Sequence, residues 1–217
     1  MIDRPASVRP RLRGLLHQYA FFVSLPALPV LILVSATRRA AFAGAVYGLS
    51  LVALFGVSAL FHRVTWSVPA RRWMGRLDHA MISVLIAGTF TPIGLVMLSG
   101  PLATMSLALV WGGALAAIVL HVLWIDAPKW LSALVYVALG WSGMAAIPYL
   151  VIHGGWGPTV LFALGGALYS AGAAVYALRR PDPAPAVFGY HEVFHALVVA
   201  AAVTHYAALA LYVLPGA

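Results

Sequence analysis

Residues Ala40–His62 read AAFAGAVYGLSLVALFGVSALFH, twenty-three residues without one charge, bracketed by Arg38-Arg39 and Arg63. A hydrocarbon core about 30 Å thick is crossed by about 20 apolar residues in a helix. This stretch is therefore a transmembrane helix, and the rest of the chain repeats its pattern. Six more such runs follow from the same criterion: Gln18–Thr37, Leu77–Leu98, Leu102–Trp124, Trp130–Val151, Pro158–Leu178 and Gly189–Leu214. Turn formers separate them, at Ser99-Gly100-Pro101, Ala127-Pro128, Gly154-Gly155 and Pro181 to Pro185. The runs are too long for barrel strands. The expected fold is all-α, one seven-helix membrane bundle over residues 1–217 without a soluble domain.

Composition agrees. Of the 217 residues 63% are hydrophobic and 8% charged, with a mean hydropathy of +0.97, where soluble domains carry about 25% charged residues. A soluble enzyme, a nucleic-acid-binding domain and a disordered chain are excluded. The net charge of +8 has a topological explanation. With seven spans and a cytoplasmic N-terminus, eleven of the thirteen Lys and Arg residues fall on the cytoplasmic side, and only Arg38 and Arg39 on the other. That is the positive-inside pattern, and it implies the cell membrane. The first apolar run is longer than a signal-peptide core and no small-x-small site follows it, so it is expected to be a retained helix. Cysteine is absent, so any metal must be held by nitrogen and oxygen.

Ionisable groups inside a span are costly and mark candidate sites. Only Asp78 and Glu192 among the acids lie at or within spans, whereas Asp3, Asp126 and Asp182 fall in tails or loops. Loop parity places His62, Asp78, His191 and His195 at one depth in the cytoplasmic leaflet. His191-x-x-x-His195 is an i,i+4 pair, so both imidazoles project from one helix face. Ser58-x-x-x-His62 repeats that spacing. Three imidazoles plus a water form a common catalytic zinc set with one open position; iron, manganese and nickel are compatible with the same ligand types. Asp78 could ligate, or accept a hydrogen bond from the metal-bound water and act as general base. Ser58 could orient a ligand. Each motif also has a plain reading: an interfacial histidine pair bonded to water, Asp78 as a helix cap, Ser58 as a packing residue bonded to its own helix.

The other histidines rank lower. His79 lies about 100° round the helix from Asp78 and cannot face the same centre. His205 is about 15 Å deeper than His195 and suits a polar cavity or an interhelix bond. His17 and His121 read as satisfied interfacial histidines, and His153 lies on the opposite side. Glu192 could support a ligand from behind, but is expected rather to face the cytosol. Gly44, Gly48, Gly112, Gly113, Gly165 and Gly166 suggest close helix packing. Pro92 should kink the third span. Trp66, Trp73, Trp124, Trp130 and Trp156 read as belt anchors.

The succession Ser58-Ala-Leu-Phe-His62, Arg76-Leu-Asp78-His79, Ala87-Gly-Thr-Phe-Thr-Pro92 and Gly189-Tyr-His191-Glu-Val-Phe-His195 resembles the hemolysin III family, the bacterial branch of the progestin and adipoQ receptor group. The resemblance runs from about Arg11 to Tyr212. It implies a seven-helix bundle with its N-terminus inside. It also implies zinc near the cytoplasmic leaflet on His62, His191 and His195, with Asp78 holding the zinc-bound water and Ser58 nearby. The wider superfamily is thought to include metal-dependent lipid hydrolases such as alkaline ceramidases, and bacterial members are linked to haemolysis and membrane fluidity. One departure stands out: many members carry a Glu and an Asn before a His at the first span, and here only Arg11-Leu-Arg-Gly-Leu-Leu-His17 remains.

Three functions follow. The first is a zinc-dependent hydrolase of a membrane-lipid amide or ester, with a fatty acyl substrate, acting in lipid homeostasis. The second is a non-catalytic membrane-state sensor or receptor-like protein with structural zinc. The third is a pore, against which the spans lack the ladder of acids of an ion path. A retinal protein is set aside because the only lysine, Lys129, lies in a loop. A haem protein is set aside because i,i+4 histidines do not face each other across a bundle.

Overall fold

The computed structural model describes residues 10–124, 126–143 and 147–217. Arg4 and Arg9 of the charge pattern, and Asp3, lie outside the described residues. The helices are α1 (Leu15–Leu33), α2 (Arg38–Arg63), α3 (Val68–Pro92), α4 (Gly100–Leu123), α5 (Lys129–Trp141), α6 (Ile147–Tyr149), α7 (Trp156–Leu178) and α8 (Tyr190–Ala208). Wide π-helical turns extend α3 over Ile93–Met97, α6 over Leu150–Gly154 and α8 over Leu209–Val213.

Six of these helices are long and apolar enough to cross a membrane: α1, α2, α3 with its wide turn, α4, α7 and α8 with its own. The remaining expected span, Trp130–Val151, corresponds to α5 and α6 with residues 144–146 between them, which lie outside the described residues. The all-α membrane bundle is thus built as expected, with six of the seven expected spans present as long apolar helices among the described residues. Chain neighbours pack together, α1 on α2, α2 on α3, α3 on α4 and α7 on α8; α5 also packs on α7 and α1 returns to α8, closing the bundle. Its outer face is apolar, with Leu33, Leu123 and Ile152 all largely exposed, as a lipid-facing surface requires.

One span boundary moves substantially. The third was expected from Leu77, but α3 begins nine residues earlier, at Val68, with Pro69 in its first turn. Arg71, Arg72 and Arg76 therefore lie on α3 rather than in a connecting loop. Hydropathy finds only the part of a helix inside hydrocarbon; intrahelical hydrogen bonding continues past that limit. The expected interruption at Pro92 is present as the wide turn that follows it. Thr89 and Thr91 hydroxyls donate to the carbonyls of Leu85 and Ala87 just before it.

The glycines divide into two kinds. A Cβ on Gly44 would sit 3.0 Å from a Leu214 methyl, one on Gly48 2.5 Å from Leu28 Cδ1, and one on Gly113 2.7 Å from Leu139 Cδ1. On Gly112 and Gly166 it would meet nothing within 4 Å, so the close-packing expectation fails at these two. Gly48→Val should overpack the α1–α2 contact and cost about 1–3 kcal/mol. Gly112→Ala should be neutral, or stabilising by up to about 1 kcal/mol through helix propensity. Thermal unfolding midpoints in detergent should move down for the first and hold or rise for the second.

Candidate metal centre

Helix geometry places Ser58 and His62 on one face of α2, and both are buried there. The start of α8 is fixed by Glu192, whose Oε2 accepts the Gly189 N–H at 2.9 Å, in the manner of a capping carboxylate. His191 and His195 then project from one side of α8. The two helices bring the three histidines together: one ring nitrogen from each of His62, His191 and His195 lies within 4.8 Å of the others. His62 Nε2 and His191 Nε2 are 3.2 Å apart. Ring centroids are separated by 4.9 Å for His62–His191, 5.1 Å for His62–His195 and 4.5 Å for His191–His195. Asp78 comes from α3, its Oδ2 at 3.7 Å from His62 Nε2.

The arrangement suits a cation. Nitrogen ligands at about 2.0–2.1 Å from a tetrahedral zinc stand about 3.3 Å apart. The His62–His191 separation already matches, and His195 offers a ring nitrogen within 4.8 Å of both. His195 Nδ1 is buried without a hydrogen-bond partner. The donors are nitrogen with a carboxylate alongside and no thiolate, a zinc-compatible set.

A cavity of ≈ 220 Å³ opens from this cluster into the bundle. Ser58, Asp78, His191 and His195 line its near end, and Leu150, Thr159 and His205 line its far end. The walls between, from α3, α5, α7 and α8, are mainly apolar.

Two groups ranked low in the sequence belong to the centre. His17 is buried, not interfacial. Its ring stacks on His195 at 3.7 Å and 11°, and its Nδ1 lies 2.8 Å from Ser58 Oγ. The Ser58 hydroxyl also faces the Asp78 carboxyl. Glu192 does not face the cytosol: it is 1% exposed and ion-paired with Arg13. The cause is the segment before α1. Arg11 and Leu12 N–H groups donate to the carbonyls of Ala186 and Val187 at 3.0 and 3.1 Å, laying this segment across the start of α8. His121 is satisfied as expected, although inside the bundle, by the Ala117 carbonyl, Ser132 and Tyr136. His79 faces His121, their ring centroids 5.4 Å apart.

Gly14 makes this closure possible. It has φ +78°, and a Cβ there would lie 2.5 Å from His62 Cβ. A residue with a Cβ pays about 1–2 kcal/mol for the left-handed backbone alone, and His62 Cβ cannot swing away. Gly14→Ala should lower the unfolding midpoint and loosen the N-terminal segment, read as faster proteolysis near Arg13.

Comparison with known proteins agrees with the sequence motifs. The model of the haemolysin-III related family matches residues 6–206. The chain belongs to this family. It is 34% identical over 205 residues to Hemolysin-3 of Bacillus cereus, covering 93% of this chain and 90% of that one. It is 33% identical over 187 residues to the Hemolysin-3 homolog of Bacillus subtilis, covering 84% of each. The adiponectin receptor protein of Drosophila melanogaster is 32% identical over 205 residues, which are 86% of this chain and 44% of that protein. The family thus sits within the progestin and adipoQ receptor group.

Proposed function

We propose that this protein is a zinc-dependent hydrolase of the cell membrane, cleaving an amide or ester of a membrane lipid near the cytoplasmic leaflet and acting in membrane lipid homeostasis, in the manner of a ceramidase. The observation that carries the reading is the meeting of three ring nitrogens and a carboxylate at the mouth of an apolar cavity. His62, His191 and His195 would hold the ion. Zinc bound there supplies Lewis acidity, polarising a carbonyl and making water acidic near pH 7.

The chain's own residues do the rest. Asp78 is the base that takes a proton from water and returns it to the leaving group. Ser58 holds the Asp78 carboxyl, and His17 holds Ser58 from behind. The apolar walls take up an acyl chain and keep bulk water from the reacting end. The positive charges grouped at the same end of the bundle orient the N-terminus to the cytoplasm.

A second reading is that zinc is structural, in a sensor or receptor-like protein. It is favoured by the ligands coming from two helices, α2 and α8, that the ion would tie together. The test is direct. Purified protein should contain stoichiometric zinc and release fatty acid from ceramide or phospholipid in vesicles, and a chelator should stop the release. Metal without turnover of either lipid class favours the structural reading; protein without metal overturns both.

A further inference from the structure

The cavity extends well beyond the histidine cluster. His205 lies ten residues past His195 on α8, about 15 Å along the axis, and both line the same space. Several polar groups in the deep half are already satisfied by their own helices. Thr89 Oγ1 donates to the Leu85 carbonyl at 2.7 Å, Thr159 Oγ1 to Gly155 at 2.8 Å, and Ser170 Oγ to Gly166 at 2.8 Å.

Two groups are not. His205 is 8% exposed, with Nε2 at 3.2 Å from the Phe162 carbonyl. A carbonyl only accepts, so Nε2 carries the proton and Nδ1 presents a bare lone pair. That Nδ1 is buried without a partner. Gly165 leaves room for the ring, because a Cβ there would strike the Cδ2–Nε2 edge. The Tyr169 phenol oxygen is likewise buried without a partner, and its ring centroid lies 5.4 Å from that of His205. An unmatched buried polar group costs about 1–3 kcal/mol. The two residues have adjoining rings and line one cavity, which points to one missing partner.

The chemistry of that partner is constrained. Nδ1 needs a donor and the phenol supplies one. A hydroxyl satisfies both, donating to Nδ1 and accepting from the Tyr169 O–H. A ketone or ester carbonyl cannot donate, and an alkene does neither. A buried water makes about 2–4 hydrogen bonds and could bridge the same two groups; in that case the two acids compared below bind equally.

We propose that His205 and Tyr169 form a hydroxyl-recognition subsite for a lipid whose hydrocarbon chain carries a hydroxyl near its middle. This rests on the acyl-chain reading of the cavity given above. From a carbonyl held beside Asp78, an extended chain covers about 15 Å in roughly a dozen carbon–carbon bonds.

The experiment compares 12-hydroxyoctadecanoic acid with octadecanoic acid, by displacement of a fluorescent fatty acid from the purified full chain, with zinc content measured on the same sample. The hydroxylated acid should bind about tenfold tighter, the worth of one net hydrogen bond. Tyr169→Phe and His205→Leu should bring the ratio to near one while octadecanoic acid keeps its affinity. Equal binding of the two acids by the unaltered protein overturns the subsite, as does a preference that survives Tyr169→Phe. If octadecanoic acid itself does not bind, the acyl-chain reading falls and the subsite with it. A zinc-free sample that still prefers the hydroxylated acid supports the subsite and counts against the metal reading alone.

Discussion

His195→Ala should strip the protein of its metal. His195 is 2% exposed and sits between the other two imidazoles and the stacked ring of His17. Losing it leaves two nitrogens, on different helices, where three had converged. Removing a group that merely supports a ligand costs about 10–100-fold in metal affinity, so losing the ligand itself should exceed about a hundredfold. Zinc after dialysis against a weak chelator should be stoichiometric in the unaltered protein and near zero in the variant. His205→Leu is the matched control, a buried histidine on the same helix but far deeper, and it should retain zinc. If His195→Ala keeps its metal through the same dialysis, the three-histidine centre is wrong.

What the sequence made legible here, and what it hid, follows from the range of the interactions. The pairing of Ser58 with His62, and of His191 with His195, is local helix geometry, and spacing alone reveals it. Their meeting depended on loop parity, which the arginine distribution supplied. His17 was not legible in this way. It is a lone histidine near a span end, and its burial arises because α1 packs against both α2 and α8. The neighbouring Gly14 was the available signal, since a glycine just before a helix can mark a left-handed turn against a close neighbour. Glu192 was hidden for a related reason. Its partner Arg13 is 179 residues away, and only the pairing of Arg11 and Leu12 with residues 186 and 187 covers it. The start of α3 was missed because arginine-bearing turns lower hydropathy without lowering helix propensity. Hydropathy also drew one span over Trp130–Val151, where α5 ends at Trp141; Ser142-Gly143 and Pro148 were the breakers on the page.

Asp78→Asn should separate catalysis from metal binding. The exchange keeps the shape of the side chain and removes its capacity to take a proton. Asp78 Oδ2 stands 3.7 Å from His62 Nε2, so it flanks the three nitrogens and lines the cavity. Zinc content should therefore remain stoichiometric. Lipid turnover should fall by about 10²–10⁴-fold, the usual contribution of a general base. Stability should hold or rise, because an ionisable carboxyl at the cavity wall is replaced by an amide that is easier to bury. Ser58→Ala should fall between, since it loosens the carboxyl without removing it, and its defect should appear in kcat more than in KM. The structural reading also expects the metal to stay in Asp78→Asn and differs only in expecting function to be unchanged. An intact rate in that variant would remove Asp78 as the base and leave its carboxyl, ten residues into α3, as a polar neighbour of the three imidazoles.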